Sequence, residues 1–308
     1  METQTIPSKP APRLAYGIGM AVITCVLWGL ESILVKISGL HVSPELLTIS
    51  YFSLSTLAFG SMVVARKPRL PCGSLRSVSL VLVGGVSIAL FYYLFVYGVR
   101  LSGPAQASVI LQSEPFFVAI LAMIFLKESL NSPQRVGLAI ALLGFVLFGL
   151  DRWANNPLST GVTGNLLVLC ASLAWSVYAL CQRALCREYT PLAASFSIFF
   201  VAAVLVLVAV KQPEPPTFTF ESSLVLFLTS AMAFLAYAAL SEAFGNARAA
   251  VVALIANLSP LITISAVFLL SAIGFPGISN EPISLWGYLG VGAILAGSIH
   301  VARSESRA

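Results

Sequence analysis

The chain has very few charged residues. Only 9% of its 308 residues are Asp, Glu, Lys or Arg, whereas 58% are hydrophobic and the mean hydropathy is +0.94. So little polar surface cannot cover a water-soluble globule of this length. The composition therefore excludes an ordinary soluble protein and predicts an all-α integral membrane protein.

Residues that several kinds of chemistry require are also scarce. Asp151 is the single aspartate, so the clustered aspartates that hold divalent metals in membrane transferases are missing from the sequence. The five cysteines form no disulfide framework and have no metal-ligand spacing. The sequence has no nucleotide-binding glycine loop and no nucleophile elbow. We therefore expect neither an enzyme nor a protein that carries a cofactor or a metal.

Apolar segments of membrane-spanning length fill the chain, since roughly 20 apolar residues are needed to cross a bilayer. Gly, Pro and charged residues divide the sequence into ten such segments. The predicted spans are residues 14–37, 45–65, 78–100, 104–126, 133–150, 163–185, 191–210, 222–242, 247–271 and 284–302. The connections between them are too short for a soluble catalytic or receptor domain.

Basic residues are unevenly distributed between alternate connections. With a cytoplasmic N-terminus, thirteen of the 17 Lys and Arg residues lie on the cytoplasmic side, and four (Lys36, Arg100, Arg152 and Lys211) lie on the other. This bias predicts that both termini are cytoplasmic. It also explains the net charge of +5 without a nucleic-acid partner. We expect Lys36 and Arg100 to snorkel to the outer surface.

The second half of the chain repeats the first at nearly constant offsets. Trp28, Lys36 and Pro44 are matched by Trp175, Arg183 and Pro191, in each case 147 residues later. Later matches join residues of the same type, namely Tyr97 to Tyr237, Pro115 to Pro260, Gly137 to Gly290 and Gly144 to Gly297. Ordered agreement of this kind indicates an internal duplication.

Each copy holds five predicted helices, and an odd number gives the two copies opposite orientations in the membrane. The expected fold is therefore ten transmembrane helices arranged as two inverted five-helix repeats. The predicted organisation is a cytoplasmic tail (1–13), a first repeat (14–150), an extracytoplasmic linker (151–162), a second repeat (163–302) and a cytoplasmic tail (303–308).

Several local patterns stand out along the chain. They are Leu27-Trp28-Gly29 and Ala174-Trp175-Ser176 near the start of each repeat, a proline in helices 4 and 9, and Lys127-Glu128-Ser129-Leu130 before Gly137 and Gly144. In their order and spacing these patterns resemble the EamA-type drug/metabolite transporter superfamily. The resemblance covers essentially the whole chain. It is imperfect where Lys127-Glu128 replaces the family's frequent Gly-Glu and where the second copy has an insertion around Ser271 to Asn280. It implies a metabolite exporter in the bacterial inner membrane.

Two prolines inside predicted spans mark the expected substrate site. Pro115 cannot donate to the carbonyl of Leu111, so we expect a helix kink there that exposes a backbone acceptor, and Pro260 repeats this arrangement. Glu114 directly precedes Pro115, and a carboxylate at membrane depth is costly unless it is neutral, paired or hydrated. Two interpretations of Glu114 remain open: a group that responds to protons or substrate, and a protonated acid that packs helices.

Glu31 and a set of aromatic residues complete the expected site. Glu31 occupies the position that Tyr178 holds in the second copy, and it is interpreted either as the partner of a substrate amine or as a solvated acid. Paired aromatic residues suit an apolar or cationic ligand, although they also suit helix packing. The candidate substrate-binding residues are Trp28, Glu31, Tyr93, Tyr97, Gln112, Glu114, Trp175, Tyr178, Tyr237 and Asn257.

Inverted repeats are typical of secondary transporters, whose two halves rock around a site near the bilayer midplane. We therefore expect a carrier of a small molecule that works by alternating access in the lipid bilayer, as a monomer or homodimer, with protons as a candidate coupling ion. The first expected substrates are aromatic or neutral amino acids and amino-acid-like compounds. The alternatives are a cationic or amphipathic drug exporter and, in another class, a receptor or scaffold without transport. Export as the direction follows from the resemblance.

Overall fold

The fold is a bundle of helices. The computed structural model describes residues 14–125, 132–155, 160–211, 218–246, 252, 255–256, 258–278 and 284–305. All regular structure in these ranges is helical. The helices are α1 (Leu14–Ser38), α2 (Pro44–Arg66), α3 (Leu75–Ser102), α4 (Pro104–Ile110), α5 (Glu114–Phe125), α6 (Ser132–Asn155), α7 (Thr160–Leu185), α8 (Pro191–Ala209), α9 (Phe220–Asn246), α10 (Ser259–Ala272) and α11 (Leu285–Glu305).

The bundle has the surface of a membrane protein. Six of the described helices, α1, α2, α3, α7, α8 and α9, are each long and apolar enough to cross a bilayer, and α10 and α11 contribute shorter apolar stretches. Large apolar side chains point outward along these helices. Leu57, Val64 and Val208 are 73%, 75% and 78% exposed. The chain is therefore a multi-pass membrane protein, and the number of ten spans stays a prediction.

Ser43-Pro44 and Thr190-Pro191, each a hydroxyl residue followed by proline, predict the N-caps of two helices. The hydroxyl of Ser43 accepts a hydrogen bond from the N–H of Leu46 at 3.1 Å, and Pro44 occupies the first turn of α2. Thr190 and Pro191 open α8 in the same way. The side-chain oxygen satisfies an otherwise free N–H, and proline has no N–H to satisfy in that turn. This prediction is confirmed.

The end of the first repeat differs from the expectation. Helix α6 continues to Asn155 instead of ending at residue 150, and α7 begins at Thr160. Asp151 therefore lies within a helix and not in an outside loop. It is 6% exposed, and its carboxylate accepts a hydrogen bond from the hydroxyl of Ser284. That hydrogen bond offsets the free-energy cost of burying the carboxylate, so α6 can continue past Asp151.

The two halves pack against each other in matched pairs. Helix α3 lies along α7, and its counterpart α9 lies along α1. Likewise α5 packs on α7, and α10 packs on α1, while α2 pairs with α8 and α6 with α11. Exchanging the two halves turns the α3–α7 pair into the α9–α1 pair and the α5–α7 pair into the α10–α1 pair, and it leaves the α2–α8 and α6–α11 pairs unchanged. The packing therefore supports a duplicated architecture in which the copies interlock.

The N-terminal caps of α3 and α9 show how the sequences of these two helices align with each other. Ser74 accepts from the N–H of Ser77, and Thr219 accepts from the N–H of Ser222. Thr219 lies 145 residues after Ser74, which is the offset that also separates Pro115 from Pro260. One offset of 145 residues therefore aligns helices 3 and 4 of the first predicted repeat with those of the second.

This register corrects the match of Tyr97 with Tyr237. At 145 residues the counterpart of Tyr237 is Tyr92. The ring contacts agree: Tyr92 meets Phe52 edge-on at 5.9 Å, and Tyr237 meets Phe199 edge-on at 5.2 Å. The match of Tyr97 with Tyr237 is wrong because it rests on residue type alone. It does not take into account which face of the helix each residue occupies.

Helices α6 and α11 approach each other through glycine. A Cβ atom on Gly144 would lie 2.5 Å from the carbonyl oxygen of Gly290, and a Cβ on Gly290 would lie 2.7 Å from the carbonyl oxygen of Gly144. Both neighbours are backbone atoms, which cannot rotate away. Small residues at such crossings let backbones come close, and close packing is a main source of helix association in lipid.

We predict that Gly144→Ala destabilises the bundle. The added methyl group forces α6 and α11 apart, and overpacking of this kind costs about 1–3 kcal/mol. The expected result is a lower thermal unfolding temperature of the detergent-purified protein.

Gly149 provides the matched control on the same helix. A Cβ there would meet nothing within 4 Å, so Gly149→Ala gains helix propensity without a clash. Its unfolding temperature should equal or exceed that of the wild type. Equal unfolding temperatures for Gly144→Ala and Gly149→Ala would contradict the close crossing.

Candidate functional site

A cavity lies between helices of the two halves of the chain. Its volume is about 50 Å³, which is room for roughly four water molecules. Residues from both halves line it: Trp28, Glu31, Ser32, Phe91, Phe95, Ser108, Leu111, Gln112, Glu114, Trp175, Tyr237, Ala256 and Ser259. Six predicted site residues are therefore brought together around one small space.

Two acids contribute to this cavity. Glu31 of α1 is 6% exposed, and Glu114 at the start of α5 is half-buried. Within the described part of the chain, neither side-chain carboxyl takes part in a hydrogen bond or an ion pair. Tyr237 lies within electrostatic range of both carboxyl groups. The cavity therefore places two acids beside one small space, and acids at membrane depth are commonly functional.

Aromatic rings form one wall of the cavity. The rings of Trp28 and Trp175 meet edge-to-face with centroids 6.0 Å apart, and Trp28 meets Tyr237 at 5.8 Å. Tyr178 contacts Trp175 at 6.3 Å and Tyr237 at 5.9 Å. It is 2% exposed and lies behind this wall, not on the cavity surface. Tyr178 therefore fixes the ring positions without facing the space.

The polar floor of the cavity comes from a break in the helix. The segment that was predicted as span 4 is divided by a 3₁₀ turn at Leu111–Ser113, just before Pro115. The N–H of Glu114 donates to the carbonyl of Leu111 within this turn. The expectation of an exposed Leu111 carbonyl is therefore wrong, because the tighter turn supplies the donor that proline lacks. Gln112 in the same turn lines the cavity.

Pro260, the second of the two prolines, does not interrupt a helix within the described residues. Pro260 is in the first turn of α10, which begins at Ser259, so its missing N–H leaves no helix bond unmade. The expected kink at Pro260 is thus replaced by a helix start in the described residues. Asn257, predicted beside it, lies outside the described residues.

Two hydroxyl groups attach these proline-containing segments to the tryptophan helices. The hydroxyl of Ser176 donates to the backbone carbonyl of Glu114 at 3.2 Å. The hydroxyl of Thr263 donates to the backbone carbonyl of Gly29 at 2.7 Å. Gly29 and Ser176 each follow the tryptophan of their repeat. These bonds hold both tryptophans next to the cavity.

Tyr93 and Tyr97 lie outside the cavity. Their rings are 5.0 Å apart on α3, and the hydroxyl of Tyr97 donates to the carboxylate of Glu45 at the start of α2. Phe91 and Phe95 occupy the face of α3 that lines the cavity. Since successive helical residues are about 100° apart, positions two residues later face away. The geometry therefore favours a role for Tyr93 and Tyr97 at the end of the bundle.

Lys36 and Arg100 also bind at this end and do not simply reach for solvent. The ammonium of Lys36 donates to the carbonyl of Arg100 at 2.6 Å, and the guanidinium of Arg100 donates to the hydroxyl of Ser38 at 3.0 Å. The snorkelling expectation misses these bonds, because their partners come from different helices. Together with Tyr97 and Glu45, these groups join α1, α2 and α3. We call this set the α1–α2 end.

The opposite end of the bundle is held by neutral polar groups. The amide of Gln182 donates to Ser195 at 2.9 Å, and Ser195 shares a hydrogen bond with Ser241 at 3.0 Å. All three side chains are buried, and they join α7, α8 and α9. We call this set the α7–α8 end. Polar contacts therefore join helices at both ends of the bundle.

Sequence reasoning missed several lining residues. Phe91, Phe95, Ser32 and Ser108 carry no repeat match, so the duplication could not select them. Four-residue spacings, of Trp28 before Ser32 and of Phe91 before Phe95, are a usable signal of shared helix faces. Within the described ranges, no three His, Cys, Asp or Glu side chains come together as a metal site. The cavity can therefore offer acids, an amide, hydroxyls and rings to a ligand.

Comparison with known proteins agrees with this geometry. The chain is 27% identical over 296 residues to an uncharacterised inner membrane transporter of Escherichia coli strain K12, YhbE, covering 93% of this chain and 91% of the relative. It is 28% identical over 158 residues to a probable amino-acid metabolite efflux pump of the same organism, covering 51% and 50% of the two chains.

A solved crystal structure has the same fold. It superposes with a TM-score of 0.62 at 19% identity, over 96% of this chain and 99% of the other. The model of the EamA-like transporter family matches residues 15–150 and 162–303, once in each half. These two matches contain every described residue that lines the cavity. The chain belongs to the EamA-like transporter family.

Proposed function

We propose that this transporter carries a small metabolite with an amino group out of the cytoplasm by alternating access. The observation that carries the proposal is the cavity, in which Glu31 and Glu114 lie beside the wall formed by Trp28, Trp175 and Tyr237. Acids suit an amine, and aromatic rings suit both an apolar side chain and a cation. Amino acids with aromatic or neutral side chains, and similar compounds, are the first candidates.

Two further observations bear on the substrate. Relatives from Escherichia coli and Salmonella typhimurium are named as probable amino-acid metabolite efflux pumps, which favours the amino-acid class. The same acids and rings also suit a cationic or amphipathic drug, which is the second candidate. A receptor or scaffold would bind such compounds without moving them, so flux across a membrane separates it from a transporter.

We also infer that the two repeats have opposite orientations and that both termini are cytoplasmic. The exchange of helix partners between the halves supports the first inference. The excess of Lys and Arg in the connections on the N-terminal side supports the second. With this orientation, the α1–α2 end faces outward and the α7–α8 end faces the cytoplasm.

The size of the cavity supports alternating access. A space of about 50 Å³ cannot hold a whole amino acid while both ends are closed. The α1–α2 end must therefore separate in one step and the α7–α8 end in another. The polar contacts at each end would break when that end separates. Protons or the substrate amine are the candidates that neutralise the two acids.

We predict that Glu114→Gln impairs transport. The substitution keeps the size of the side chain but removes its charge and its proton, so flux in proteoliposomes should fall at least tenfold and lose its dependence on pH. Glu188→Gln is the matched control, because Glu188 is exposed and lies after α7. Wild-type flux at every pH for Glu114→Gln would exclude a titrating role for this acid.

A second prediction separates the cavity wall from the α1–α2 end. Trp175→Ala removes ring contacts from the wall, so competition by aromatic compounds should weaken about tenfold relative to aliphatic ones. Tyr97→Phe removes only the hydrogen bond to Glu45, so it should change the rate of flux and leave the order of competitors unchanged. The measurement is inhibition of labelled flux by a panel of compounds. An altered order for Tyr97→Phe with an unaltered order for Trp175→Ala would contradict both assignments.

A further inference from the structure

We propose that the cavity binds its cargo through an ammonium group and excludes a free carboxylate next to that group. The transported compound is then an amine or a carboxyl-blocked amino acid, in preference to a zwitterionic amino acid. This inference rests on the proposed function and narrows its substrate class. It follows from the kinds of polar group that face the cavity and from those that do not.

Hydrogen-bond acceptors without partners surround the cavity. Glu31 and Glu114 supply carboxyl oxygens, and within the described residues the side-chain carbonyl oxygen of Gln112 has no hydrogen-bond partner. Glu31 and Gln112 are each 6% exposed, so little water from outside the protein reaches them. A primary ammonium has three N–H donors and no acceptor, which matches this set. It also fits a space of about 50 Å³, with the rest of the substrate requiring the helices to move.

The aromatic wall has the same preference. Trp28 and Trp175 stand edge-to-face at 6.0 Å, with an angle of 82° between their ring planes, and Tyr237 closes the group. Each of these rings carries a negative π-face. Such a face attracts a cation and repels an anion.

A carboxylate would find no counter-charge here. No Lys, Arg or His is among the described residues that line the cavity. Arg100 and Lys36 bind instead at the α1–α2 end, to Ser38 and to the Arg100 carbonyl. The hydroxyl of Ser108 already donates to the carbonyl of Ala105 at 2.8 Å. A zwitterion would therefore place its carboxylate between two acids.

The test compares four compounds that share a phenyl group: phenethylamine, phenylalaninamide, phenylalanine and 3-phenylpropanoate. Flux of each is measured in proteoliposomes that contain the full chain. We expect the amine and the amide to be transported at similar rates, phenylalanine at least tenfold more slowly, and the acid at the rate of protein-free liposomes. Quenching of tryptophan fluorescence by the same compounds reports binding, since Trp28 and Trp175 line the cavity.

The possible outcomes separate the inference from the proposed function. If phenylalanine moves as fast as its amide, the exclusion of carboxylate is wrong, and transport of amino compounds stands. If the acid moves as fast as the amine, the ammonium requirement is wrong as well. If none of the four is bound or moved, the proposed function fails together with the inference.

Substitutions inside the cavity sharpen the comparison. Gln112→Arg introduces the missing positive charge, so it should raise the flux of phenylalanine relative to its amide. Glu31→Gln should weaken binding of phenethylamine at least tenfold, and Glu188→Gln, an exposed acid on a connection, should leave it unchanged. Size-exclusion profiles identify any variant that does not fold. A ratio of phenylalanine to amide flux that is the same in folded Gln112→Arg and in the wild type would overturn the inference.

Discussion

Close contact between the two halves is the constraint on which the cavity depends. Lipid tails are as apolar as the helix surfaces, so helices in a bilayer associate through tight packing and hydrogen bonds and not by hiding apolar area from water. On α3 and α7, a Cβ at Gly98 would lie 2.5 Å from Val168, and one at Gly164 would lie 2.9 Å from the carbonyl oxygen of Gly98. This approach, with its counterparts elsewhere in the bundle, brings Trp28 and Trp175 within 6.0 Å although they are far apart in the chain.

Composition, caps and duplication were readable from the sequence because each depends on local or periodic patterns. These patterns did not predict every helix face that lines the cavity. Rotation of α3 decides whether Phe91 or Tyr93 meets the cavity, and it is set by packing against α7 and α8, which no pattern within α3 encodes. Likewise, Asp151 reads as a loop residue until Ser284, 133 residues later, is placed beside it.

The two copies differ where the chemistry lies. The first half supplies both acids and Gln112, whereas the second supplies Trp175, Tyr237 and Ser259. At matched positions, the ring of Tyr178 fills space beside Tyr237, and Glu31 lies within electrostatic range of Tyr92, the counterpart of Tyr237. Replacing a ring by a shorter carboxyl leaves room and adds charge on one side. Both acids of the site therefore come from the first half, whereas its aromatic lining comes from both halves.

The charge of this site also constrains when the bundle can close. Two carboxylates beside a space of about 50 Å³, with no counter-charge among the described lining residues, repel each other and lose part of their hydration. We propose that protons or a cation neutralise the two acids before the bundle closes around them. Movement of the helices at the α1–α2 end and at the α7–α8 end then depends on the cargo, a dependence that separates a carrier from a pore.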